Sequence, residues 1–261
     1  MTSLFTADHQ LDESGRPTAV FVSALFAGGW IWDHPYETLA ADGWPVLRTH
    51  QPVCAVDPKV ASTIEGLGDA MVAVCDEAGV DDMVVCANSL GGLVAIDLAM
   101  RFPERVKGIV VSGAPGLTAD PDVGLSMDRR AGVKPSGAEF EARMMAALFH
   151  SGRHFSDEQL RETGTLLEKP QSMLSMAKSL RATRSYPVQA ALDKVRCPSL
   201  YVWGRYDRMT PVDAWLDVLE AHPTSEVALV EDCGHIPMLE RPDEYSSRLA
   251  RFMTKFASGP A

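Results

Sequence analysis

Short apolar runs alternate with longer amphipathic stretches along this chain. The runs are rich in β-branched and aliphatic residues, are bounded by turn residues, and lie at 18–22, 83–86, 108–112, 199–203 and 226–230. Such continuous runs are typical of strands that are covered on both faces, as in parallel sheets. Amphipathic stretches occupy roughly 60–79, 90–102, 212–222 and 242–256. The pattern predicts an α/β fold with a mostly parallel central sheet flanked by helices.

One segment, 118–187, breaks the alternation because it contains helical patterns and no strand pattern. We predict helices at 139–150 and 156–168, the second beginning with Ser156 as N-cap and two acidic residues in its first turn. An insertion of about 70 residues between two strands is too long for an ordinary connection. We therefore predict a helical lid over 118–187, inserted between two parts of one core domain, 1–117 and 188–261.

Composition narrows the class of partner. Hydrophobic residues make up 46% of the 261-residue chain and charged residues 23%, which are ordinary globular proportions. Lys and Arg total 24 against 35 for Asp and Glu, so the net charge is −11. An acidic protein repels phosphate backbones and anionic lipids, so we expect a small-molecule substrate and neither nucleic acid nor membrane as a partner. No apolar run approaches the ~20 residues that span a bilayer.

The cysteines indicate a reducing compartment. The chain has 5 cysteines and no CxxC pair, and several lie in apolar runs, as Cys86 does. An odd number of dispersed cysteines favours buried free thiols over a disulfide framework or a zinc site. The first ten residues lack the basic start and apolar stretch of a secretion signal. We therefore expect a cytoplasmic protein; these features do not define its oligomeric state.

The segment 84–95 carries the strongest signal of chemistry. A buried strand leads through Ala87-Asn88-Ser89-Leu90-Gly91-Gly92 into a helix rich in Ala, Leu and Ile. The small residues permit a sharp turn that exposes the Ser89 hydroxyl, as in a strand–nucleophile–helix elbow whose first glycine is replaced by Ala87. The N-terminal amides of the helix favour negative charge beside Ser89. Taken alone, the same pattern also fits a structural turn serine.

Two downstream segments supply the base and the acid that a serine nucleophile needs. Asp207 follows the fourth apolar run and His235 follows the fifth. Because ligands of open α/β sheets bind beyond the carboxyl ends of the strands, we expect Ser89, Asp207 and His235 at one edge of the sheet. Asp120 or Asp122, after the third run, is an alternative acid.

In these motifs and their order, the chain resembles the α/β-hydrolase superfamily of serine hydrolases over nearly its whole length. The shared motifs are Trp203-Gly204-x-x-Asp207-x-x-x-Pro211 and Gly234-His235-Ile236-Pro237-x-x-Glu240-x-Pro242-x-x-Tyr245. The resemblance implies an α/β-hydrolase fold with Ser89 as nucleophile, His235 as base and Asp207 as acid.

The segment 21–32 resembles the oxyanion loop of small esterases, whose pattern is His-Gly-x-x-x-Gly-Gly-Trp-x-Trp. Ser23 and Ala24 stand here in place of His and Gly. By this match the backbone N–H groups of Leu25 and Leu90 hold the oxyanion, and one such donor is typically worth ~3 kcal/mol. Ala24 is conformationally less free than glycine. We expect Ser23 to fill the structural place of the histidine, with a substrate contact as the alternative.

The lid and one altered loop bear on the substrate. The loop 49–57, after a strand near 45–48, departs from the usual Asp-x-x-Gly-x-Gly-x-Ser pattern and is expected near the pocket mouth. The lid contributes adaptable apolar side chains, namely Met127, Phe140, Met144, Met145, Leu148, Phe149, Met173 and Met176. Candidate substrate contacts are Ser23, Asn88, Met144, Met145, Phe149 and Ile236. We expect a medium-sized, largely apolar ester, lactone or related acyl compound, although the lid residues could equally serve to pack the lid.

Three other functions share parts of the pattern. Asn88 and the segment 113–116 resemble the meta-cleavage C–C hydrolases, which usually have an aromatic residue where this chain has Ile236, and a lid arginine, for which Arg161 stands nearest. Hydroxynitrile lyases typically have a lysine after the histidine, so we do not expect that activity. A non-catalytic binding protein is the third alternative, since fold does not by itself determine function.

We expect neither a cofactor nor a metal ion. The chain has no Gly-rich phosphate loop and no nucleotide fingerprint. His150 and His154 are spaced i and i+4 and could face together as ligands, but no Glu stands between them as in zincins, and a solvated lid face is the favoured interpretation.

Overall fold

Seven strands in the described part of the chain form a single sheet. The structure is a computed structural model that describes residues 5–11, 14–117, 138–152 and 154–257. The strands are β1 (Ala7–Gln10), β2 (Thr18–Val22), β3 (Val46–Thr49), β4 (Met83–Asn88), β5 (Val106–Ser112), β6 (Ser199–Gly204) and β7 (Ser225–Val230). Their order is β1-β3-β2-β4-β5-β6-β7. β1 pairs antiparallel with β3, and every other neighbouring pair is parallel.

Helices connect the parallel strands, and the last two described helices follow β7. They are α1 (Asp33–Ala41), α2 (Ile64–Ala78), α3 (Leu90–Arg101), α4 (Ala138–Leu148), α5 (Asp157–Leu167), α6 (Pro170–Ser185), α7 (Val188–Leu192), α8 (Asp213–Glu220), α9 (Pro237–Glu240) and α10 (Pro242–Met253). Short 3₁₀ turns lie at Gly29–Trp32, Val53–Ala55, Val60–Ser62 and Thr254–Phe256. None of the described helices is long and apolar enough to cross a bilayer.

The central strands are buried on both faces, as their continuous apolar runs predict. In β2, Val20 and Val22 face the cluster that contains α2, α3 and α8, whereas Ala19 and Phe21 face the cluster that contains α1 and α10. Strand side chains alternate between faces, so a strand covered on both sides needs apolar residues at every position. This burial confirms the predicted α/β fold, with strand limits that differ from the predicted ones by at most two residues.

The strand register aligns the carboxyl ends of the strands. Val22 of β2 pairs with Ala87 of β4, and Asn88 at the end of β4 pairs with Ser112 at the end of β5. Gly204 at the end of β6 pairs with Val230 at the end of β7. The loops that follow these strands therefore leave the sheet at one common edge, where ligands of such sheets bind.

Three described helices, α4 to α6, lie in the segment 118–187 predicted as a lid, and α7 follows them before β6. Ser156 caps α5 as expected and forms a capping box with Gln159. α6 is fastened to the loop after β3, because its Ser175 hydroxyl donates to Val56 O at 2.6 Å and its Ser179 hydroxyl to Ala61 O at 3.2 Å. Residues 118–137, which begin the predicted lid, lie outside the described residues.

Candidate active site

Ser89 stands at a sharp turn between β4 and α3. Its φ is 56° and its ψ is −128°, and only Ser89 and Asp232 have positive φ among the described non-glycine residues. A non-glycine residue in this region is strained and persists only where its surroundings hold it, which is common at functional sites. The Ser89 N–H donates to Ser112 O at 2.8 Å, which ties the turn to the end of β5. A sharp strand–helix turn is therefore present where the sequence pattern predicts one, and the structure adds a strained backbone at Ser89.

The glycines after Ser89 allow α3 to pack closely on the sheet. A Cβ at Gly92 would lie 2.8 Å from Ala114 Cβ and 2.9 Å from Val111 Cγ1, and a Cβ at Gly91 would lie 3.3 Å from Ser23 O. Leu90 is the first residue of α3, so its N–H has no acceptor within the helix and is open to an anion.

His235 and Asp207 form a buried pair. His235 Nδ1 lies 2.8 Å from Asp207 Oδ2, with 3% and 1% of the two side chains exposed. Asp207 also accepts hydrogen bonds from the Met209 N–H at 2.8 Å, the Thr210 N–H at 2.9 Å and the Thr210 hydroxyl at 2.9 Å. These donors compensate a buried carboxylate, and the contact with Asp207 assigns the ring proton to Nδ1. The other ring nitrogen, Nε2, is then an acceptor.

The backbone of His235 is held on both sides. Its N–H donates to Leu148 O at 2.7 Å, and its carbonyl accepts from Asn88 Nδ2 at 3.0 Å. Asn88 adjoins Ser89, so this bond links the elbow directly to the histidine loop. In the described part of the chain, the Ser89 hydroxyl forms no hydrogen bond. Such catalytic contacts often form only when substrate is bound.

The predicted oxyanion loop is anchored by the altered loop after β3. The Val53 N–H donates to Ala24 O at 2.9 Å, and the Cys54 N–H donates to Leu25 O at 2.8 Å. The Ala24 carbonyl belongs to the same peptide group as the Leu25 N–H. Because the carbonyls of Ala24 and Leu25 both accept hydrogen bonds, the orientation of this peptide group is restricted. Ala24 does not have positive φ, so alanine in place of glycine causes no left-handed strain here.

Ser23 forms hydrogen bonds within the protein. It is 1% exposed. Its hydroxyl donates to Thr49 O at 2.8 Å and lies 3.1 Å from Thr49 Oγ1. This geometry agrees with a structural place for Ser23 beside the oxyanion loop.

The other candidate substrate contacts lie largely in the core. Met144, Phe149 and Ile236 are buried in the cluster on the α1 and α10 face, against which Met145 packs partly buried. Asn88 is fully buried, and its amide nitrogen is directed to His235 and Ser112. A smaller apolar cluster joins the oxyanion loop to the inserted helices through Leu25, Phe26, Leu166 and Met173.

The helical pairing considered for His150 and His154 is wrong. The helix predicted at 139–150 ends at Leu148, so the two histidines do not share a helical face. His150 stacks on Tyr206 with a ring-centroid distance of 4.2 Å, and His154 Nε2 lies 2.8 Å from Ser151 O. Across the described ranges, no group of three His, Cys, Asp or Glu side chains is arranged to hold a metal ion.

Cys233, two residues before the histidine, is buried, and burial raises the pKa of its thiol. It is therefore neutral near pH 7 and a poor nucleophile.

Three residues near the pair were not identified as site residues from the sequence. Thr210 and Glu240 lie within the quoted motifs, and Gly113 begins the segment 113–116. Thr210 donates to Asp207, Glu240 accepts from the Gly234 N–H at 2.7 Å, and Gly113 leaves room for the His235 ring. Their place in the motifs was a usable signal; their contacts depend on the folded chain. The alternative acids, Asp120 and Asp122, lie outside the described residues.

Comparison with known proteins defines the class. The model of the alpha/beta hydrolase family matches residues 19–248, and the chain belongs to this family. Relatives that match along nearly its whole length are named as hydrolases or esterases, and the protein is accordingly a hydrolase rather than a binding protein on the same fold.

The relatives differ in the bond they are named for. A protein named putative carbamate hydrolase RutD, from Rhizobium rhizogenes, is 24% identical over 251 residues, 94% of this chain and 95% of the relative. A 2-hydroxy-6-oxononadienedioate/2-hydroxy-6-oxononatrienedioate hydrolase from Cupriavidus pinatubonensis is 27% identical over 254 residues, 92% and 88% of the two chains. A pimeloyl-(acyl-carrier protein) methyl ester esterase from Aromatoleum aromaticum is 28% identical over 243 residues, 88% and 95% of the two chains.

Proposed function

We propose that this hydrolase cleaves an ester, lactone or related acyl compound with a Ser-His-Asp triad. Ser89 is the nucleophile, His235 the general base and Asp207 the acid that orients the imidazole. The observation that carries the proposal is the buried contact of 2.8 Å between His235 Nδ1 and Asp207 Oδ2. This pair lies beside a strained serine elbow, to which Asn88 links it.

The chemistry follows from these positions. His235 Nε2 takes the hydroxyl proton as Ser89 Oγ bonds to the carbonyl carbon, and the carbonyl π electrons move to the oxygen. The N–H groups of Leu25 and Leu90 donate to this oxyanion. When the tetrahedral species collapses, the leaving oxygen departs with the proton from His235, and Ser89 carries the acyl group. A water molecule then attacks with His235 again as base, which releases the acid and restores Ser89.

The substrate that we propose is of medium size and largely apolar. The Leu25 and Phe26 side chains of the oxyanion loop pack with Leu166 and Met173 of the inserted helices, and ligand pockets are mostly apolar. We assign these helices to a lid over 118–187, with the core domain formed by 1–117 and 188–261. The carbamate, the oxo-dienedioate and the methyl ester in the relatives' names all contain a carbonyl group.

Hydrolysis of a C–C bond is the second candidate. It is favoured by Asn88 before the nucleophile and by the similarity to the Cupriavidus hydrolase. Against it, Ile236 replaces the usual aromatic residue, and the arginine nearest to the expected place, Arg161, is exposed on α5. We therefore rank an uncharged acyl substrate first.

A cytoplasmic location is part of the proposal. All five cysteines are free thiols, and four of them are buried. Buried thiols without disulfides are usual in proteins of reducing compartments.

A serine-directed probe tests the mechanism. A fluorophosphonate should form a P–O bond with Ser89 Oγ and release fluoride, and the label should be absent in Ser89→Ala. Turnover of an aryl ester should fall at least ~10³-fold in Ser89→Ala, because nucleophile and base act together. Ser185→Ala, at an exposed serine at the end of α6, is the control and should match the wild type. An unimpaired Ser89→Ala enzyme would refute the proposal.

A substrate panel separates the candidates. It would include aryl esters of increasing acyl length, a lactone and a 2-hydroxy-6-oxo-dienoate. Preference for apolar acyl groups of medium length supports the first candidate. Preference for small charged acyl groups contradicts the substrate class, and turnover of the dienoate above all esters supports C–C hydrolysis instead.

A further inference from the structure

A buried carboxylate joins the inserted helices to the loop that carries His235. Glu240 is the last residue of α9 and is 4% exposed. Its Oε2 accepts hydrogen bonds from the Gly234 N–H at 2.7 Å and the His150 N–H at 3.1 Å. Its Oε1 accepts from the Ser151 N–H at 2.8 Å. A carboxylate removed from water is costly unless donors replace the water, so these N–H groups restrict where it can lie.

The donors belong to two segments that are distant in sequence. Gly234 directly precedes His235 after β7, whereas His150 and Ser151 follow α4. The same segments are joined by the bond from the His235 N–H to Leu148 O. A Cβ at Gly234 would lie 2.6 Å from Leu148 O and 2.8 Å from His150 N, so the two backbones are in direct contact. Glu240 therefore fastens a contact that includes the backbone of the proposed base.

The loop that carries Asp207 also contacts the C-terminal end of α4 and the residues after it. Arg208 Nη1 donates to Ala146 O at 2.9 Å, and the Tyr206 ring stacks on His150. Both members of the His–Asp pair thus have chain neighbours anchored at the end of α4. A shift of this end of α4 relative to the core would therefore displace both the base and the acid.

We propose that Glu240 is a positioning residue for His235, an inference that rests on the function proposed above. Glu240 acts through the backbone of Gly234 and does not contact the substrate. It keeps Nε2 of His235 in line with Ser89 while Nδ1 remains on Asp207. Because a misplacement of ~1 Å can cost about 10²-fold in rate, loss of the carboxylate should slow proton transfer and leave substrate binding unchanged.

Three variants test this role. Glu240→Ala removes both acceptors. Glu240→Gln keeps one oxygen for Gly234 and His150 but turns an NH₂ group toward the Ser151 N–H. Glu244→Gln is the matched control, since Glu244 pairs with Arg248 on α10 and has no bond to the histidine loop among the described residues.

The measurements separate positioning from folding. Turnover of an aryl ester is divided by the number of serines that a fluorophosphonate titrates, so that unfolded molecules are not counted. Per titrated site, kcat should fall about 10- to 100-fold in Glu240→Ala and less in Glu240→Gln. KM should stay within about twofold, because only the transition state loses stabilisation. The downfield proton NMR signal of His235 Nδ1–H should shift or broaden in Glu240→Ala and remain unchanged in Glu244→Gln.

Two results would contradict the proposal, one for the role of Glu240 and one for the triad. Unchanged kcat per titrated site with an unchanged proton signal would overturn the proposal even if the melting temperature falls, because Glu240 would then only hold two segments together. If Glu240→Ala does not fold, Glu240→Gln carries the same comparison. A parallel Ser89→Ala arm that retains full activity would refute the triad itself, which distinguishes that failure from a failure of the role of Glu240.

Discussion

The His235 imidazole lies against the backbone of Gly113, so closely that a Cβ at residue 113 would be 2.7 Å from both Cε1 and Nδ1 of the ring. Gly113 also has φ of +59°, a conformation that costs other residues roughly 1–2 kcal/mol. The residue after β5 is therefore constrained twice, by its own backbone and by the ring that it faces.

Gly113→Ala should lower both stability and activity. The added methyl group must displace the ring from Asp207, so we expect kcat to fall at least tenfold, on the order of the loss from a misplaced catalytic group. Gly79→Ala is the matched control, since Gly79 has φ of +75° and no atom within 4 Å of its would-be Cβ. It should lose only the stability that the positive φ costs and keep full kcat. Equal activity of the two variants would contradict the predicted contact.

Asp207→Asn should preserve the fold and reduce turnover by up to ~10⁴-fold, because an amide favours the wrong imidazole tautomer. Asp120→Asn and Asp122→Asn should remain near wild type. Steady-state kinetics with circular dichroism checks both statements. An active Asp207→Asn enzyme together with an inactive variant at 120 or 122 would reassign the acid and leave the serine mechanism intact.

Thr210→Val should reduce both activity and stability. It removes the hydroxyl that donates to Asp207 Oδ2 at 2.9 Å, and a hydrogen bond to a charged group contributes about 1.5–3 kcal/mol. We expect a loss of roughly tenfold or more in kcat, since Asp207 is then less firmly oriented. Thr210→Ser retains the hydroxyl and should recover most of the rate; failure to do so would mean that the methyl group matters instead.

Ser23→Ala distinguishes the two roles considered for Ser23. If the hydroxyl serves Thr49, unfolding free energy should fall by about 1–3 kcal/mol because a buried acceptor loses its donor. KM should then be unchanged across the substrate panel. Thr49→Val should have a coupled effect in a double-mutant cycle. A raised KM with unchanged stability would indicate a substrate contact.

Stability should decline at alkaline pH. Burial raises the pKa of Cys54 and of Cys75 from 9.0 to about 12. The unfolded chain therefore releases these protons first, so the stabilisation is complete below pH 9 and is lost as pH rises toward 12. The urea midpoint should fall between pH 8 and pH 10.5, and less so in Cys75→Ala. A midpoint that is constant over this range would contradict the burial of the thiols.

The sequence by itself determined the sheet and the elbow. The runs that became β2, β4, β5, β6 and β7 were recognisable because a strand buried on both faces must be apolar throughout. The elbow was recognisable because a strand, a run of small residues and a helix follow one another locally. The atoms that a Cβ at Gly91 or Gly92 would meet belong to distant residues, at 22–23 and 111–114, so the reason for these glycines appears only in the folded chain.

Elements whose stability comes from distant partners left no such pattern. β1, with sequence ADHQ, is polar and mostly exposed, and it is a strand because it pairs with β3. Helix α1 was likewise not predicted: it buries only Pro35 and Leu39. Its packing against α10 rather than its own periodicity maintains it.

The tertiary structure alone decided which side chains hold His235. Asn88 and Leu148 form hydrogen bonds with the His235 backbone, and Gly113 leaves room for its ring. These three residues are separated from the histidine loop by dozens of residues of chain, whereas Glu240 is close to it in sequence. A hydrogen bond requires heavy atoms about 3 Å apart in a defined direction, and only the packing of α4, β4 and β5 around that loop brings these residues there. Residue type and spacing can therefore indicate a serine, an acid and a base. The contacts that hold the base, His235, in place are determined only by the folded chain.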